Sequence, residues 1–123
     1  MNKRVLGQIA EAEAGAYLEG QGYTIICRNY RTRYGEIDMV ALDGRVMSFV
    51  EVRSRSRDRG WIAPEESVLY GWKRQKVIRA AKCYLIQYPT SLPLRFDVVG
   101  VVRPLMDGTH RFHLIKDAFR VEA

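Results

Sequence analysis

Apolar and polar residues follow two different periods along the 123-residue chain. Residues 4–19 carry apolar side chains near helical spacing, and the glycines of EGQGY end this first helix. The β-rich stretch YTIICRNY predicts a first strand, and residues 36–42 and 46–54 predict two more. Good helix formers occupy residues 71–87, and LRFDVVGVV and HRFHLIK predict two last strands before a tail that adds a helical turn. The apolar positions of the first helix are Val5, Ile9, Ala12, Ala16, Tyr17 and Leu18.

The predicted order of elements is αβββαββ, with no internal repeat or linker. This order indicates an α/β fold in which helices flank a mixed β-sheet. A chain of 123 residues has the size of one ordinary domain, so we predict a single domain over residues 1–123.

Asp43 and Gly44 are a strong two-residue hairpin signal between the second and third strands. With these two residues at the centre of the turn, Asp38 faces Phe49 across the hairpin. Period-two alternation then divides the hairpin into two largely apolar faces. One face carries Glu36, Asp38, Val40, Leu42, Met47, Phe49, Glu51 and Arg53, and the other carries Ile37, Met39, Ala41, Val46, Val50 and Val52. We therefore predict a central hairpin covered on both sides, with acids at its open end.

Those acids need a cationic partner, because burying an unpaired carboxylate costs several kcal/mol, as an order of magnitude. Asp38 and Glu51 are diagonal neighbours, with backbones roughly 7 Å apart, so both side chains could reach one ion. Oxygen ligands favour magnesium or manganese. The alternative is that Arg53, Arg31 and Arg33 pair with these acids as ordinary salt bridges.

The chain has a formal net charge of +6, and its basic residues concentrate in the middle. Such a surface attracts a polyphosphate backbone in a salt-dependent way, although a solvated face would have the same composition. The segment RSRSRDRGW is the best candidate for phosphate contact. The basic residues that we predict to bind nucleic acid are Arg31, Arg33, Arg55, Arg57, Arg59, Lys73 and Lys76.

Other classes of protein fit the sequence poorly. It has no run of eighteen apolar residues and no signal-peptide pattern, so we expect a cytoplasmic protein with no membrane partner. Cys27 and Cys83 lie far apart in sequence and are predicted to be reduced core residues. With only His110 and His113 beside them, the spacing does not suit a zinc site.

The segment GEIDMVALDG followed by FVEVRSR resembles the D-then-ExK signature of the PD-(D/E)xK nucleases. This restriction-endonuclease-like superfamily includes archaeal Holliday-junction resolvases. Over nearly its full length the chain is similar to the YraN-like family of uncharacterised bacterial proteins. The matching segments are AEAEAGAYLEGQGYTIICRNYRTRYGEIDMVALDG, FVEVRSR, KVIRAAKCYL and RFDVVGV. The resemblance implies a nuclease-like core that holds one or two magnesium ions and hydrolyses phosphodiester bonds.

The resemblance also implies roles for individual residues. Asp38 matches the aspartate of the motif and Glu51 its glutamate. Glu11 matches a glutamate of the first helix, although Ala10 stands where the family has a glycine. The alternatives are that Glu11 faces solvent or that Glu13 performs the same task. The backbone carbonyl of Val52 is a further candidate ligand for the metal.

Arg53 is the main departure from the nuclease pattern, because a lysine usually stands two residues after the glutamate. Arginine stays protonated and cannot act as a general base, but it can donate two hydrogen bonds to a phosphate. Lys73 or Lys76 is a candidate for the missing ammonium, and Gln75 lies where related nucleases often place a glutamine. Glu36 is predicted to support the site from behind.

Three hypotheses follow from the sequence. The first is a magnesium-dependent endonuclease acting on branched or otherwise structured DNA, for which resolvase-like relatives imply a symmetric homodimer. The second is a nucleic-acid-binding protein of the nuclease fold that has lost catalysis through Arg53. The third is a structural or interaction domain whose acids form plain salt bridges.

Overall fold

The computed structural model describes residues 3–56, 71–103 and 110–121. Its elements confirm the predicted order αβββαββ. They are α1 (Lys3–Gly20), β1 (Tyr23–Arg31), β2 (Glu36–Asp43), β3 (Val46–Ser56), α2 (Gly71–Gln87), β4 (Leu94–Arg103) and β5 (Arg111–Phe119). The predicted helical turn in the tail is wrong, because β5 continues to Phe119. The turn predicted at MDG and most of the RSRSRDRGW segment lie outside the described residues.

The five strands form one mixed sheet in the order β1-β2-β3-β4-β5. Neighbouring strands are antiparallel except β3 and β4, which run parallel and are joined by a connection that contains α2. A parallel pair needs such a crossover, whereas an antiparallel pair can be joined by a tight turn. The β2–β3 hairpin therefore lies in the interior of the sheet, with a neighbouring strand on each side. No helix in the described part of the chain is long and apolar enough to cross a membrane.

The register of the β2–β3 hairpin corrects the prediction. Its partners are Asp43 with Val46, Leu42 with Met47, Val40 with Phe49, and Met39 with Val50. The two central turn residues are thus Gly44 and Arg45, and Gly44 has a φ of 60°. A glycine adopts this left-handed conformation without steric cost, which favours the turn that begins at Gly44. Extending this register by one residue places Asp38 opposite Glu51, where the predicted register placed Phe49.

Both faces of the hairpin are covered, as predicted. On the α2 side the core includes Val40, Met47, Phe49, Tyr84, Phe96 and Val98. On the α1 side it includes Ala14, Leu18, Met39, Ala41, Val50 and Val99. Cys27 and Cys83 are free, half-buried thiols. Burial of each such large apolar side chain stabilises the fold by about 1.5–3 kcal/mol, so this two-sided core holds both helices against the sheet.

Helix α1 buries a stripe that shares only Leu18 with the predicted one. Among its described side chains and glycines, the buried residues are Ala10, Ala14, Gly15 and Leu18, whereas Val5 and Ile9 are each 37% exposed. Alanines at a helix–sheet contact let the helix backbone approach the sheet closely. The spacing and small size of these residues therefore decide which face of α1 is buried, more than their hydrophobicity does. Because Glu11 directly follows Ala10, it lies beside the buried face, next to the sheet.

A buried polar cluster around Asp97 of β4 joins residues of β1, β3, β4 and β5. The carboxylate of Asp97 is fully buried and accepts hydrogen bonds from Arg95 Nε at 2.8 Å, Tyr23 Oη at 2.8 Å and Ser48 Oγ at 2.6 Å. The backbone N–H of Asp117 adds a fourth donor at 2.9 Å. Burial acts to raise the pKa of Asp97, but these hydrogen bonds outweigh it and hold the pKa below its ordinary value.

Candidate active site

Asp38 and Glu51 form a buried pair of carboxyl groups on neighbouring strands. Asp38 Oδ2 accepts a hydrogen bond of 2.7 Å from the backbone N–H of Val52, and the two carboxyl groups hydrogen-bond to each other. Only 7% of Glu51 is exposed. Burial, and then the charge of Glu51, raise the pKa of Asp38 to about 7. Burial also raises the pKa of Glu51, so without a cation the pair retains a proton near neutral pH.

Lys73 brings an ammonium group to this pair from α2. Its Nζ lies 3.1 Å from Glu51 Oε1, and it acts to lower the pKa of Glu51 against the larger effect of burial. Lys76, one helical turn later, has an exposed side chain, and its Cβ packs close to Gly35. Lys73, one of the two lysines that the sequence offered for the missing ammonium, therefore contacts the motif glutamate.

Glu11 joins the pair from α1. It forms a hydrogen bond with Asp38, and its pKa is raised to about 7 by partial burial and then by the negative charges of Asp38 and Glu36. Carboxyl groups from α1, β2 and β3 therefore lie together, although Glu11 is distant in sequence from Asp38 and Glu51. A cavity of about 150 Å³ borders this convergence and is lined by Gln8, Glu11, Ala12, Arg28, Asn29, Asp38 and Met39.

A break in strand alternation places Asp38 between the two helices. Ile37 packs in the core on the α2 side, whereas Met39 packs on the α1 side, although strict alternation predicts one common face. Asn29 lies between the paired residues on β1, opposite Asp38, and has a left-handed φ of 53°. Asp38, between these two residues, interacts with Glu11 of α1 and with Glu51 of β3.

Asn29 is a residue that the sequence reasoning missed. In the orientation that satisfies its neighbours, its side-chain amide donates to Glu36 Oε1 at 2.9 Å and to Glu11 Oε2 at 3.0 Å. Glu36 also lies 3.8 Å from Arg31 Nε. Asn29 thus links Glu36 to Glu11. The available signal was the residue type, since asparagine adopts left-handed conformations more readily than most residues.

The structure describes the side chains of some of the remaining predicted site residues but not of all of them. Arg53 is half-buried on β3, two residues after Glu51, and Gln75 is exposed on α2. The Arg33 guanidinium lies 5.5 Å from the centre of the Tyr34 ring. The side chains of three arginines predicted to bind nucleic acid are not described. Arg55 is described only in its backbone, and Arg57 and Arg59 lie outside the described residues.

The donor set suits a hard divalent cation bound in an open site. Asp38, Glu51 and Glu11 offer only oxygen atoms, which magnesium and manganese prefer. Within the described ranges, no three acidic, histidine or cysteine side chains converge closely enough to enclose an ion by themselves. Magnesium commonly keeps several waters and takes only one or two protein carboxylates, so the residues present fit such an ion. Two contacts favour the salt-bridge alternative: the predicted Arg31 lies 3.8 Å from Glu36, and Lys73, which that alternative did not include, lies 3.1 Å from Glu51.

A larger cavity of about 460 Å³ lies elsewhere and includes none of these acids. It is lined by Val46, Pro93, Leu94, Arg95, Phe96, Asp117, Phe119, Arg120 and Val121. Its charged groups already have partners, because Arg95 binds Asp97 and Asp43, and Arg120 binds Asp117 at 2.6 Å. We therefore place the candidate active site at the smaller cavity beside the acids.

Comparison with known proteins agrees with the family resemblance. The model of the uncharacterised protein family UPF0102 matches residues 10–101. A UPF0102 protein of Halorhodospira halophila is 48% identical over 120 residues, which cover 98% of this chain and 91% of that protein. One from Lachnoclostridium phytofermentans is 43% identical over 122 residues, which cover 97% and 96%. One from Clostridium tetani is 37% identical over 121 residues, which cover 98% and 97%. The chain therefore belongs to the uncharacterised protein family UPF0102, the YraN-like family of the prediction.

Proposed function

We propose that this protein is a magnesium- or manganese-dependent endonuclease that hydrolyses phosphodiester bonds in structured or branched DNA. The observation that carries the proposal is the convergence of Glu11, Asp38 and Glu51 from three separate elements, with the Lys73 ammonium 3.1 Å from Glu51. A protein gains no stability by placing three carboxyl groups with raised pKa values together. Such a group is typical of a site that binds a cation.

Each residue has a distinct role in the proposed reaction. Asp38 and Glu51 would hold the divalent cation, with Glu11 beside them. When bound, this ion would lower the pKa of a water molecule and offset the negative charge that develops on the phosphorus centre. Lys73 would orient the attacking water and add positive charge near the phosphate. Arg53 would donate hydrogen bonds to phosphate oxygens and would take no part in proton abstraction.

The proposed substrate is a nucleic acid because the net charge of the chain is +6 and exposed cations lie close to the acids. Arg31 and Arg33 lie on or directly after β1, within five residues of Glu36. Positive groups around an acidic centre allow a polyanion to approach a site that would otherwise repel it. DNA is chosen over RNA through the resemblance to junction resolvases, and the same resemblance implies a homodimer.

A second function is favoured by one residue. Arg53 stands at the position where the nuclease motif has a lysine, so the protein could bind nucleic acid through this fold without cleaving it. The position of Lys73 argues against this alternative, because its ammonium already contacts the motif glutamate. The two functions differ in whether cleavage accompanies binding.

The test is a cleavage assay on labelled junction, flap, single-stranded and duplex DNA, with magnesium or manganese. We expect the wild-type protein to cut at least one structured substrate, and Asp38→Asn, Glu51→Gln and Lys73→Met to reduce the rate at least a hundredfold, given the usual size of such effects. Arg53→Lys serves as the matched comparison, and we expect it to retain activity.

Binding without cleavage of any substrate by either the wild type or Arg53→Lys would establish the binding protein instead. Cleavage gained only in Arg53→Lys would identify Arg53 as the residue that abolishes catalysis. Failure to bind DNA or RNA at low salt would leave the acids as structural groups.

A further inference from the structure

Arg28 is a basic residue on β1 that the roles proposed above do not include. It lies opposite Met39, on the side of the sheet that α1 covers, and its guanidinium packs against α1. A Cβ atom at position 15 would overlap Arg28 Nη1 and would lie 2.7 Å from Nη2. The guanidinium therefore occupies the space that any other residue at position 15 would fill. We call this space the Gly15 notch.

The Arg28 side chain is exposed, and its guanidinium makes one weak hydrogen bond within the described part of the chain. Its Nη1 lies 3.8 Å from the sulfur of Met39, a weak acceptor. Among the residues that the structure describes, no carboxylate hydrogen-bonds to this guanidinium. A guanidinium has five N–H donors in a fixed planar arrangement that matches phosphate oxygens.

The Gly15 notch places that guanidinium near the acids without pairing it with them. Glu11 and Gly15 are four residues apart on α1, so they lie on the same helix face about 6 Å apart along the axis. Arg28, Glu11 and Asp38 line the same cavity of about 150 Å³. At roughly 30 Å³ per water molecule, this cavity has room for about five waters or for a small oxyanion.

The cavity thus has an acidic wall and a guanidinium wall. We propose that Arg28, seated in the Gly15 notch, binds a phosphodiester oxygen of the substrate on the α1 side of the acids. The inference rests on the proposed function, because the acidic wall would contact the same phosphate through its divalent cation. Arg28 would then contact the phosphate from one wall of this cavity, opposite the carboxylates that would hold the cation.

Gly15→Ala offers a test that acts on Arg28 from a neighbouring element. The new methyl group would displace the guanidinium, which is the mobile end of a flexible side chain, and alanine is a better helix former than glycine. The variant should therefore fold, which circular dichroism and thermal unfolding would check. If the notch serves to seat Arg28, Gly15→Ala should weaken DNA binding in the wild type and have no effect in Arg28→Ala.

The experiment measures binding of fluorescein-labelled junction and duplex DNA by anisotropy over a range of salt concentrations. Calcium replaces magnesium, because it binds the same kind of oxygen donors. We expect Arg28→Ala to weaken binding about tenfold and to reduce the slope of log K against log salt by about 0.9. Arg28→Lys should recover part of the loss. The matched control is Arg45→Ala, an exposed arginine at the hairpin turn, which should bind like the wild type.

Two results would overturn the inference: wild-type affinity in Arg28→Ala, or an equal effect of Gly15→Ala with and without Arg28. Cleavage is scored separately on the same proteins. If the wild type binds but never cuts, the proposed function fails, and the binding comparison still decides the role of Arg28. If the wild type cuts and Arg28→Ala binds as well as it does, only the inference about Arg28 fails.

Discussion

The carboxyl pair at the end of the hairpin predicts an unusual effect of Asp38→Asn on stability. Asp38 Oδ2 accepts a 2.7 Å hydrogen bond from the Val52 N–H, and an asparagine carbonyl can accept the same bond. Its amide can also donate to Glu51, as the protonated Asp38 does. The variant therefore mimics the protonated aspartate at every pH. We expect it to be more stable than the wild type above neutral pH in the absence of divalent ions.

The magnitude follows from the pKa of Asp38, which is about 7 in the folded protein against an ordinary 3.8. Between these values the folded protein holds a proton that the unfolded chain has released, so the free energy of unfolding of the wild type falls as pH rises. The pKa difference corresponds to at most about 4 kcal/mol. Because Glu51 shares the proton and Lys73 offsets part of the charge, we expect a relative gain for Asp38→Asn of about 2 kcal/mol between pH 5 and pH 8.

The assay is urea denaturation of both proteins in EDTA across this pH range. Asp43→Asn is the matched control on the same strand, because hydrogen bonds from Arg95 and Lys116 lower the pKa of Asp43. A lowered pKa gives stability that is present at neutral pH and lost in acid, so Asp43→Asn should lose stability relative to the wild type at pH 8. A difference between Asp38→Asn and the wild type that stays constant from pH 5 to pH 8 would refute the shared proton.

Three further predictions concern other groups. Asp97→Ala should lower the free energy of unfolding by about 3–5 kcal/mol, because it leaves the Arg95 guanidinium half-enclosed and without its main partner; a urea midpoint unchanged from the wild type would contradict this. Magnesium at about 100 times its Kd should stabilise the wild type by about 2.7 kcal/mol and Glu51→Gln much less, as thermal unfolding would detect; equal shifts would argue against binding at this pair. Lys73→Met should raise the pKa of Glu51 further, and NMR titration of that carboxyl would show an unchanged value if the 3.1 Å contact did not persist in solution.

The sequence determined the elements and most of their faces. Alternation along residues 36–54 indicated a hairpin buried on both sides, and both cores confirm it. The location of Asp38 and Glu51 at the end of the hairpin away from the turn was also predictable from their positions in the sequence, whereas the break in alternation between Ile37 and Met39 was not. The turn was misplaced by one residue, since Asp43 and Gly44 form an equally good local turn signal.

Long-range packing decides which side chains surround the acids. Most of the face that α1 buries was not predicted, because Ala10 and Ala14 carry little hydrophobic signal and are nevertheless buried in the core against the sheet. That orientation decides the position of Glu11 and creates the Gly15 notch for Arg28. No periodicity in either segment indicates this pairing.

For this protein, local sequence therefore determined which segments are helices and strands and which acids share one end of the hairpin. Only the tertiary structure decided that Lys73 is the ammonium beside Glu51 and that Asn29 holds Glu11 and Glu36 together. The physical reason is separation along the chain. These contacts join elements whose relative rotation and height are set by packing on the two faces of the sheet, and that packing involves the whole domain at once.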